Sequence, residues 1–188
     1  MSRELYKQIK NYIPFNDIEA AEKKSFLQFI EAFGDRVFSR DNLVGHVTVS
    51  SWIVNPSKTK VLMAYHNLYD SFAWLGGHSD NDHNLLRVCL KEIEEESGLS
   101  NVRVLSDGFF DIDVGSVFKH NKRGVEVPEH LHYNLTFLVE ADESSSLIVK
   151  EDENSDIKWI KNEDVLGAVS EKHKREIYKR LIKKSGVF

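Results

Sequence analysis

The segment GGHSDNDHNLLRVCLKEIEEESGL, residues 76–99, constrains the fold of this chain more than any other feature. Its apolar residues recur at helical spacing and are Leu85, Leu86, Cys89, Leu90 and Ile93. They predict a helix over residues 84–97, which Gly98 would end in the left-handed conformation. An amphipathic helix must therefore follow a Gly-Gly turn closely.

The last turns of this predicted helix carry an unusual concentration of acids. Glu92, Glu95 and Glu96 share one helix face, at a C-terminus where carboxylates are unfavourable. Two such charges about 5 Å apart repel by about 3 kcal/mol at an effective dielectric near 20. A solvated acidic face is one interpretation, because in water the repulsion falls below about 1 kcal/mol. The other is a divalent cation held by oxygen ligands, which would explain the arrangement.

The spacing of glycines and glutamates resembles the Nudix box. Seven positions match that pattern in register: Gly77, Glu92, Ile93, Glu95, Glu96, Gly98 and Leu99. His83 replaces the first Glu of the box and Lys91 replaces its Arg, two residues that mainly brace the loop-helix-loop in the family. Lys91 keeps the charge of Arg but lacks its planar two-pronged donor, so Asp80 or Asp82 would be its substitute partner.

The resemblance extends over residues 42–164. It includes the stretches PEHLHYNLTFLVEADE, residues 128–143, and EDENSDIKWIKNEDV, residues 151–165. The WLGGHSD turn resembles a bacterial Nudix subgroup with a Gly-Gly-His-x-Asp turn, in which the first box Glu is often missing. Residues 1–40 lie outside the resemblance.

Hydrophobic patterns predict strands on both sides of the box helix. The predicted strands cover residues 47–54, 60–66, 102–105, 109–114, 131–139 and 157–160. Further helices are predicted at residues 162–169 and 172–184. Asn162, or Ser170 before the last helix, is the candidate cap. This order indicates an α+β fold with a mixed sheet between helical layers, which is the α/β/α sandwich that the Nudix resemblance implies.

Residues 1–40 are predicted to form an N-terminal helical extension, and residues 41–188 the Nudix-like hydrolase domain. Phe26, Phe29 and Phe33 recur at helical spacing, which is typical of a packing surface, either in the core or in a homodimer. The sequence leaves open whether these helices cover the site or form a dimer interface.

Composition narrows the classes of partner. A net charge of −5 gives no footprint for general nucleic-acid binding. The basic segment at residues 172–184 carries an apolar stripe of Ile177, Leu181 and Ile182, which favours a helix packed on the domain. The sequence shows neither a membrane-spanning apolar run nor a signal-peptide core, and its single Cys89 fits the cytoplasm. Cys89 is interpreted as a small core residue.

The Nudix resemblance implies phosphoanhydride hydrolysis, which needs charge neutralisation and an activated water, and a metal bound by the acids could supply both. Glu92, Glu95 and Glu96 would hold Mg²⁺, or alternatively Mn²⁺, and the family resemblance adds the carbonyl of Gly76. Glu95 or Glu96 would position or deprotonate the water. The base varies within the superfamily, so Glu153 is a further candidate, although it also fits a solvated acidic loop.

Several histidines are candidate substrate residues. His130 and His132 alternate on a predicted strand and so face the same way, where they could bind metal or phosphate. His78 follows the glycines directly, and Trp74 before the turn would stack on a base or lie in the core. The remaining histidines that raise the question of zinc are His46, His66 and His120. Separated histidines are more often surface or core residues.

The leading hypothesis is a Mg²⁺-dependent hydrolase that cleaves the diphosphate linkage of a nucleoside diphosphate joined to another moiety. The alternative is a catalytically weak Nudix-type nucleotide-binding module, because His83 and Lys91 would signal a relaxed catalytic loop. An allylic-diphosphate isomerase on the same scaffold is disfavoured, because Cys89 on the box helix is misplaced for its catalytic cysteine. Either leading hypothesis requires a small nucleotide-type ligand, whose identity the sequence leaves open.

Overall fold

The computed structural model describes residues 2–122, 124–150 and 154–186. The α-helices in this part of the chain are α1 (Ser2–Asn11), α2 (Asp17–Phe33), α3 (Leu85–Ser97), α4 (Val165–Ala168) and α5 (Lys172–Ser185). A short 3₁₀ helix, Gly34–Phe38, follows α2. The strands are β1 (Gly45–Val54), β2 (Lys60–His66), β3 (Ser71–Ala73), β4 (Leu75–His78), β5 (Arg103–Val104), β6 (Asp111–Val117), β7 (His120–Lys122), β8 (Val125–Val127), β9 (His130–Glu140) and β10 (Asn154–Lys161).

Eight of the described strands form one mixed sheet. Its main path runs β10-β2-β1-β9-β5, with β3 paired to β2, β4 to β1 and β6 to β9. The pairing of β1 with β9 is parallel, whereas the other pairings in this sheet are antiparallel. The β7–β8 hairpin stands apart from the sheet and was not predicted from the sequence.

Helices cover both faces of the sheet. One core joins α1, α2 and α3 to residues such as Val47 and Val49 of β1. The other joins α4 and α5 to Trp52 and Val54 of the same strand, and the Trp52 ring lies 5.5 Å from that of Tyr178. Because successive residues of a strand point to opposite faces, β1 contributes to both cores. The predicted α/β/α sandwich with a mixed sheet is confirmed.

The N-terminal helices are part of this packing. Phe26, Phe29 and Ile30 are buried, and the ring of Phe29 stacks on Tyr133 of β9 with centroids 3.9 Å apart. The prediction of a packing surface is therefore confirmed as a contact within the chain. The division of the chain at residue 40 and the homodimer stay predictions.

A buried ion-pair network also joins the two ends of the chain. Lys184 of α5 donates to Glu19 of α2 at 2.8 Å and to Asp111 of β6 at 2.7 Å. Arg180 contacts Asp111 at 2.6 Å and Glu22 at 3.1 Å. Burial raises the pKa of the Glu22 carboxyl to about 7, although the charge of Arg180 opposes this shift.

Some predicted elements differ from the structure. The helix predicted over residues 162–169 is a single turn, Val165–Ala168, and Asn162 instead donates its side-chain amide to the Lys58 carbonyl in the loop between β1 and β2. Neither candidate cap is found at a helix start, because the N-cap of α4 is Asp164 and that of α5 is Glu171. None of the described helices combines the length and apolar character needed to cross a membrane.

Candidate metal and substrate site

The box helix α3 begins and ends as its sequence predicts. The side chain of Asn84 accepts a hydrogen bond from the Arg87 amide at 3.1 Å and so caps the first turn. At the other end Gly98 adopts φ 74° and donates its amide to the Glu94 carbonyl. This conformation is strained for any side chain, which explains the glycine.

The Gly-Gly turn lies directly against the acids of α3. The Gly76 amide donates to Oε1 of Glu96 at 3.0 Å, and Glu96 is only 5% exposed. A Cβ placed on Gly77 would lie 2.4 Å from Oε1 of Glu92, so only glycine leaves room for that carboxylate. Two box carboxylates thus contact two consecutive backbone units.

The third box acid is placed differently. Glu95 lies on the exposed side of α3 and pairs with Lys91 at 3.2 Å. Glu153 lies outside the described residues. Its neighbour Asn154 lies beside the site, with Nδ2 at 3.4 Å from Oε2 of Glu96.

The chemistry of these donors fits a hard divalent cation. Glu92 and Glu96 present carboxylate oxygens beside the backbone of Gly76 and Gly77. Glu95 directly precedes Glu96 on the same helix. Mg²⁺ and Mn²⁺ prefer carboxylate and carbonyl oxygens. The residues that the sequence analysis named are therefore of the right type for the predicted metal.

The two unusual box positions have their own contacts. His83 packs its ring edge-on against Phe38, with centroids 4.4 Å apart. The suggestion that Asp80 or Asp82 pairs with Lys91 is wrong. Asp80 instead binds Arg40, and Asp82 binds Arg87 at 2.7 Å. Lys91 is left with Glu95, one helical turn further on.

A row of polar side chains crosses the sheet on the α5 side, beyond the part that α5 covers. Thr48 and Ser50 of β1 both donate to Oδ1 of Asn134 on β9, at 3.0 and 2.9 Å. The side-chain amide of Asn134 donates in turn, through Nδ2, to Oδ1 of Asp113 on β6 at 2.8 Å. These side chains hold one another in place across three strands.

Four histidines gather at the end of this row. This histidine cluster consists of His46 on β1, His78 on β4, and His130 and His132 on β9. Nε2 of His132 lies 3.1 Å from Nε2 of His78 and 3.2 Å from Nε2 of His130. The structure thus brings together the three histidines predicted to bind substrate.

Burial favours the neutral form of two of the clustered imidazoles, those of His46 and His132. Burial, reinforced by the nearby His130, lowers the pKa of His46 to about 4. Burial and the neighbouring histidines also lower the pKa of His132 far below its ordinary value. Neutral imidazoles offer lone pairs to a ligand rather than positive charge.

Trp74 lies near the junction of β3 and β4. Its backbone amide donates to the Tyr178 hydroxyl at 3.2 Å, and its ring meets that of Tyr178 edge-on at 5.1 Å. Lys174 sits over the same indole, 4.5 Å from a ring centroid, and its charge adds to the lowering of the pKa of His132. The half-buried indole therefore has a packing role, and its part in substrate binding stays a prediction.

The sequence analysis did not place His46 in the site. The parallel register sets His46 directly opposite His132, a non-local pairing that no local pattern announces. The ring of His66 instead packs against that of Tyr69, with centroids 4.4 Å apart. The ring centroid of His120 lies 6.3 Å from that of His130.

Cys89 is buried on the inner face of α3, as predicted for a core residue. Burial raises the pKa of its thiol to about 12. A thiol held protonated in this way is a poor nucleophile.

Several solved structures share this fold. The Nudix hydrolase RenU from M. smegmatis superposes with a TM-score of 0.57 and 13% identity, over 77% of this chain and 88% of its own. The Ap4A hydrolase of C. elegans gives 0.55 and 12%, over 76% and 98%. A NUDIX-family hydrolase from Clostridium perfringens gives 0.51 and 20%, over 73% and 96%. At these identities the likeness concerns the fold alone.

The sequence itself assigns the family. The family model of the NUDIX domain matches residues 44–181, which covers the sheet, the box helix and most of α5. A search of curated proteins returned no significant match. The chain belongs to the Nudix family, and the prediction of a Nudix-type hydrolase is confirmed at that level.

Proposed function

We propose that this protein is a Mg²⁺-dependent hydrolase that cleaves the diphosphate linkage of a nucleoside diphosphate joined to another moiety. The observation that carries the proposal is the contact of Glu92 and Glu96 with the two consecutive glycines of the turn. Carboxylates brought against backbone in this way form an oxygen-rich position for a divalent cation. Membership of the Nudix family supports the same chemistry.

Glu92, Glu95, Glu96 and the carbonyl of Gly76 would hold the metal. When bound, Mg²⁺ or Mn²⁺ neutralises charge on the phosphates and lowers the pKa of water. Glu95 would have to leave Lys91 to join this set. Their ion pair is exposed, and such pairs contribute about 0–1 kcal/mol, so the exchange costs little.

A carboxylate is also needed to position or deprotonate the attacking water. Both oxygens of Glu96 already accept hydrogen bonds, from the Gly76 amide and from the Asn154 side chain. Glu95 is exposed, so water reaches it freely. We therefore favour Glu95 over Glu96 for this role, and Glu153 stays a further candidate.

The substrate would lie on the polar row of the sheet, next to the turn. His78, His130 and His132 would contact its phosphate-bearing part, and Lys174 would add a positive charge near them. Trp74, whose ring Lys174 covers on one side, would stack against a base. The single buried Cys89 fits a reducing compartment such as the cytoplasm.

The test is hydrolysis of a panel of nucleoside diphosphates linked to sugars, nucleosides or phosphates, with Mg²⁺ or Mn²⁺. Combined Glu95→Gln and Glu96→Gln substitutions are expected to abolish turnover, because they remove two negative ligands while keeping side-chain shape. Glu94→Gln is the matched control, since Glu94 is exposed on the same helix and lies outside the proposed site. Equal rates for the double variant and the parent would refute the site assignment.

A nucleotide-binding module is the second candidate. The Lys91–Glu95 ion pair favours this alternative, because the pair occupies Glu95, which is one of the proposed metal ligands. Tight binding of a nucleotide with no release of phosphate products across the same panel would establish this alternative. Hydrolysis that depends on the metal and on Glu95 would exclude it.

A further inference from the structure

The histidine cluster offers nitrogen ligands, whereas the acids of α3 offer oxygen ligands. We propose that His46, His130 and His132 bind a transition-metal ion of the Zn²⁺ class, with His78 beside them to complete its coordination. This site is separate from the oxygen donors of α3. The inference does not rest on the proposed hydrolysis, because uptake of the ion is measured without substrate.

The distances between the ring nitrogens match such an ion. One nitrogen from each of His46, His130 and His132 lies within 4.8 Å of the other two. Zn²⁺ binds histidine nitrogen at about 2.0–2.1 Å, which sets tetrahedral ligands about 3.3 Å apart. The Nε2 atoms of His130 and His132 are already 3.2 Å apart, so the remaining adjustment falls mainly on His46.

The hydrogen bonds of His130 aim its free nitrogen into the cluster. Its Nδ1 lies 2.8 Å from the Pro128 carbonyl, which can only accept, so Nδ1 carries the proton. In the neutral ring the lone pair is then on Nε2, which faces His132. A backbone carbonyl that fixes the tautomer of a ligand histidine is the usual outer support of a metal site.

His132 has more close nitrogen neighbours than one proton can serve. Its Nε2 faces the Nε2 atoms of both His78 and His130 within 3.2 Å. A single nitrogen carries either one proton, which it directs to one neighbour, or one lone pair, which cannot bond the lone pair of His130. Whichever tautomer His78 adopts, at most one of the two contacts is therefore a well-directed hydrogen bond. A cation at this position would accept the lone pairs together.

His46 supplies an independent observation. It is 5% exposed, and neither of its ring nitrogens makes a hydrogen bond of ordinary geometry among the described residues. Leaving a buried polar group unpaired is costly, so such groups in folded proteins usually have a partner. A bound ion would supply that partner, because β1 already sets His46 opposite His132.

The donor type selects the ion. Imidazole nitrogen suits Zn²⁺, Ni²⁺, Cu²⁺ and Co²⁺, whereas Mg²⁺ prefers oxygen. The histidine cluster and the glutamates of α3 would therefore sort two classes of cation at neighbouring positions. His78 follows the Gly-Gly turn directly, which places the two sites on either side of one short strand.

The experiment measures Zn²⁺ binding to full-length protein that has first been stripped with chelator. We expect the parent to take up one equivalent tightly in competition with a chromophoric chelator. His46→Gln and His130→Gln should each weaken binding by more than the roughly 10- to 100-fold that changes outside the ligand shell cost. His66→Gln is the control, because His66 lies outside the cluster.

Two further measurements identify the site. Co²⁺ bound to the parent should show the visible spectrum of a tetrahedral nitrogen environment, and His130→Gln should change it. The combined Glu95→Gln and Glu96→Gln variant should still bind one Zn²⁺, which separates this inference from the proposed hydrolase site. Circular dichroism checks that each variant is folded.

Absence of stoichiometric Zn²⁺ binding by the stripped parent would overturn the inference. So would undiminished binding by folded His46→Gln and His130→Gln. Binding that is lost only in the glutamate variant would place the ion on α3 and would also overturn it.

Discussion

A methyl group at Gly77 is the sharpest test of the glutamate site. In Gly77→Ala the new Cβ would lie 2.4 Å from Oε1 and 2.5 Å from Cδ of Glu92, whereas ordinary contact begins at 3.4 Å. The Glu92 carboxylate must therefore retreat by about 1 Å. Mg²⁺ holds its oxygen ligands at about 2.0–2.1 Å in nearly ideal octahedral geometry, so this displacement would remove Glu92 from the proposed coordination shell.

We expect Gly77→Ala to lower kcat about 100-fold, which is the size of effect that a 1 Å misplacement of a catalytic group can have. The group that must move is the end of a flexible side chain, so the free energy of unfolding should change by less than about 1 kcal/mol. Steady-state hydrolysis over a Mg²⁺ titration measures the first effect, and urea denaturation measures the second.

Two other glycines calibrate this result. Gly108→Ala is the matched control, because a Cβ there meets nothing within 4 Å. In Gly76→Ala the Cβ would approach the Val49 carbonyl oxygen to 2.2 Å, a backbone clash that should destabilise the β1–β4 pairing itself. A folded Gly77→Ala protein that hydrolyses substrate as fast as Gly108→Ala would refute the proposed position of Glu92.

Three further predictions concern charge. Lys91→Met should lower the Mg²⁺ concentration for half-maximal activity about threefold at low salt, because it frees Glu95 and removes a nearby positive charge. Burial raises the pKa of Glu22 to about 7, so the folded state binds a proton more tightly than the unfolded one. The resulting stability is present at low pH and is lost as pH rises towards 7, by up to about 3 kcal/mol, and Glu22→Gln should flatten this part of the denaturation profile. Lys184→Met should cost about 3–5 kcal/mol in urea denaturation, because it leaves Glu19 and Asp111 buried with one cation fewer. An unfolding free energy within about 1 kcal/mol of the parent would contradict this last prediction.

The box helix could be predicted because its signals are local. Asn84 caps the first turn, Gly98 ends the last one, and the apolar spacing between them fits one face of a helix. The prediction of strand β2 has the correct first and last residues because its signals are also local. A turn at Asn55 precedes it, and a short apolar run defines it.

The buried ion network could not be predicted in this way. Glu19 lies in an amphipathic helix where an acid is expected to be solvated, and its partner Lys184 is 165 residues away along the chain. The sequence of α5 does not distinguish its buried basic residues from its exposed ones, yet Arg180 and Lys184 are both buried. Only the packing of α2 and α5 against β6 brings these charges together.

The candidate site shows the same division between local and non-local information. Glu92, Glu96 and the glycines they contact lie within one short segment, so the spacing of these residues in the sequence predicts that they meet. The histidine cluster depends on parallel pairing of β1 with β9, strands separated by most of the domain. His46 has no neighbouring residue that marks it as functional, so only the register identifies it.

The strand register also explains why a polar site exists on this face of the sheet. Along β1, His46, Thr48 and Ser50 point to the same side as Trp52 and Val54. The last two pack beneath the α4 and α5 layer, whereas the first three meet the polar residues of β9. A slip of one residue would bury the histidine and hydroxyl groups in the opposite core and expose Val47 and Val49. The apolar half therefore pins the register, and through it the positions of the polar half. The site and the α5 core are for this reason consequences of one and the same strand alternation.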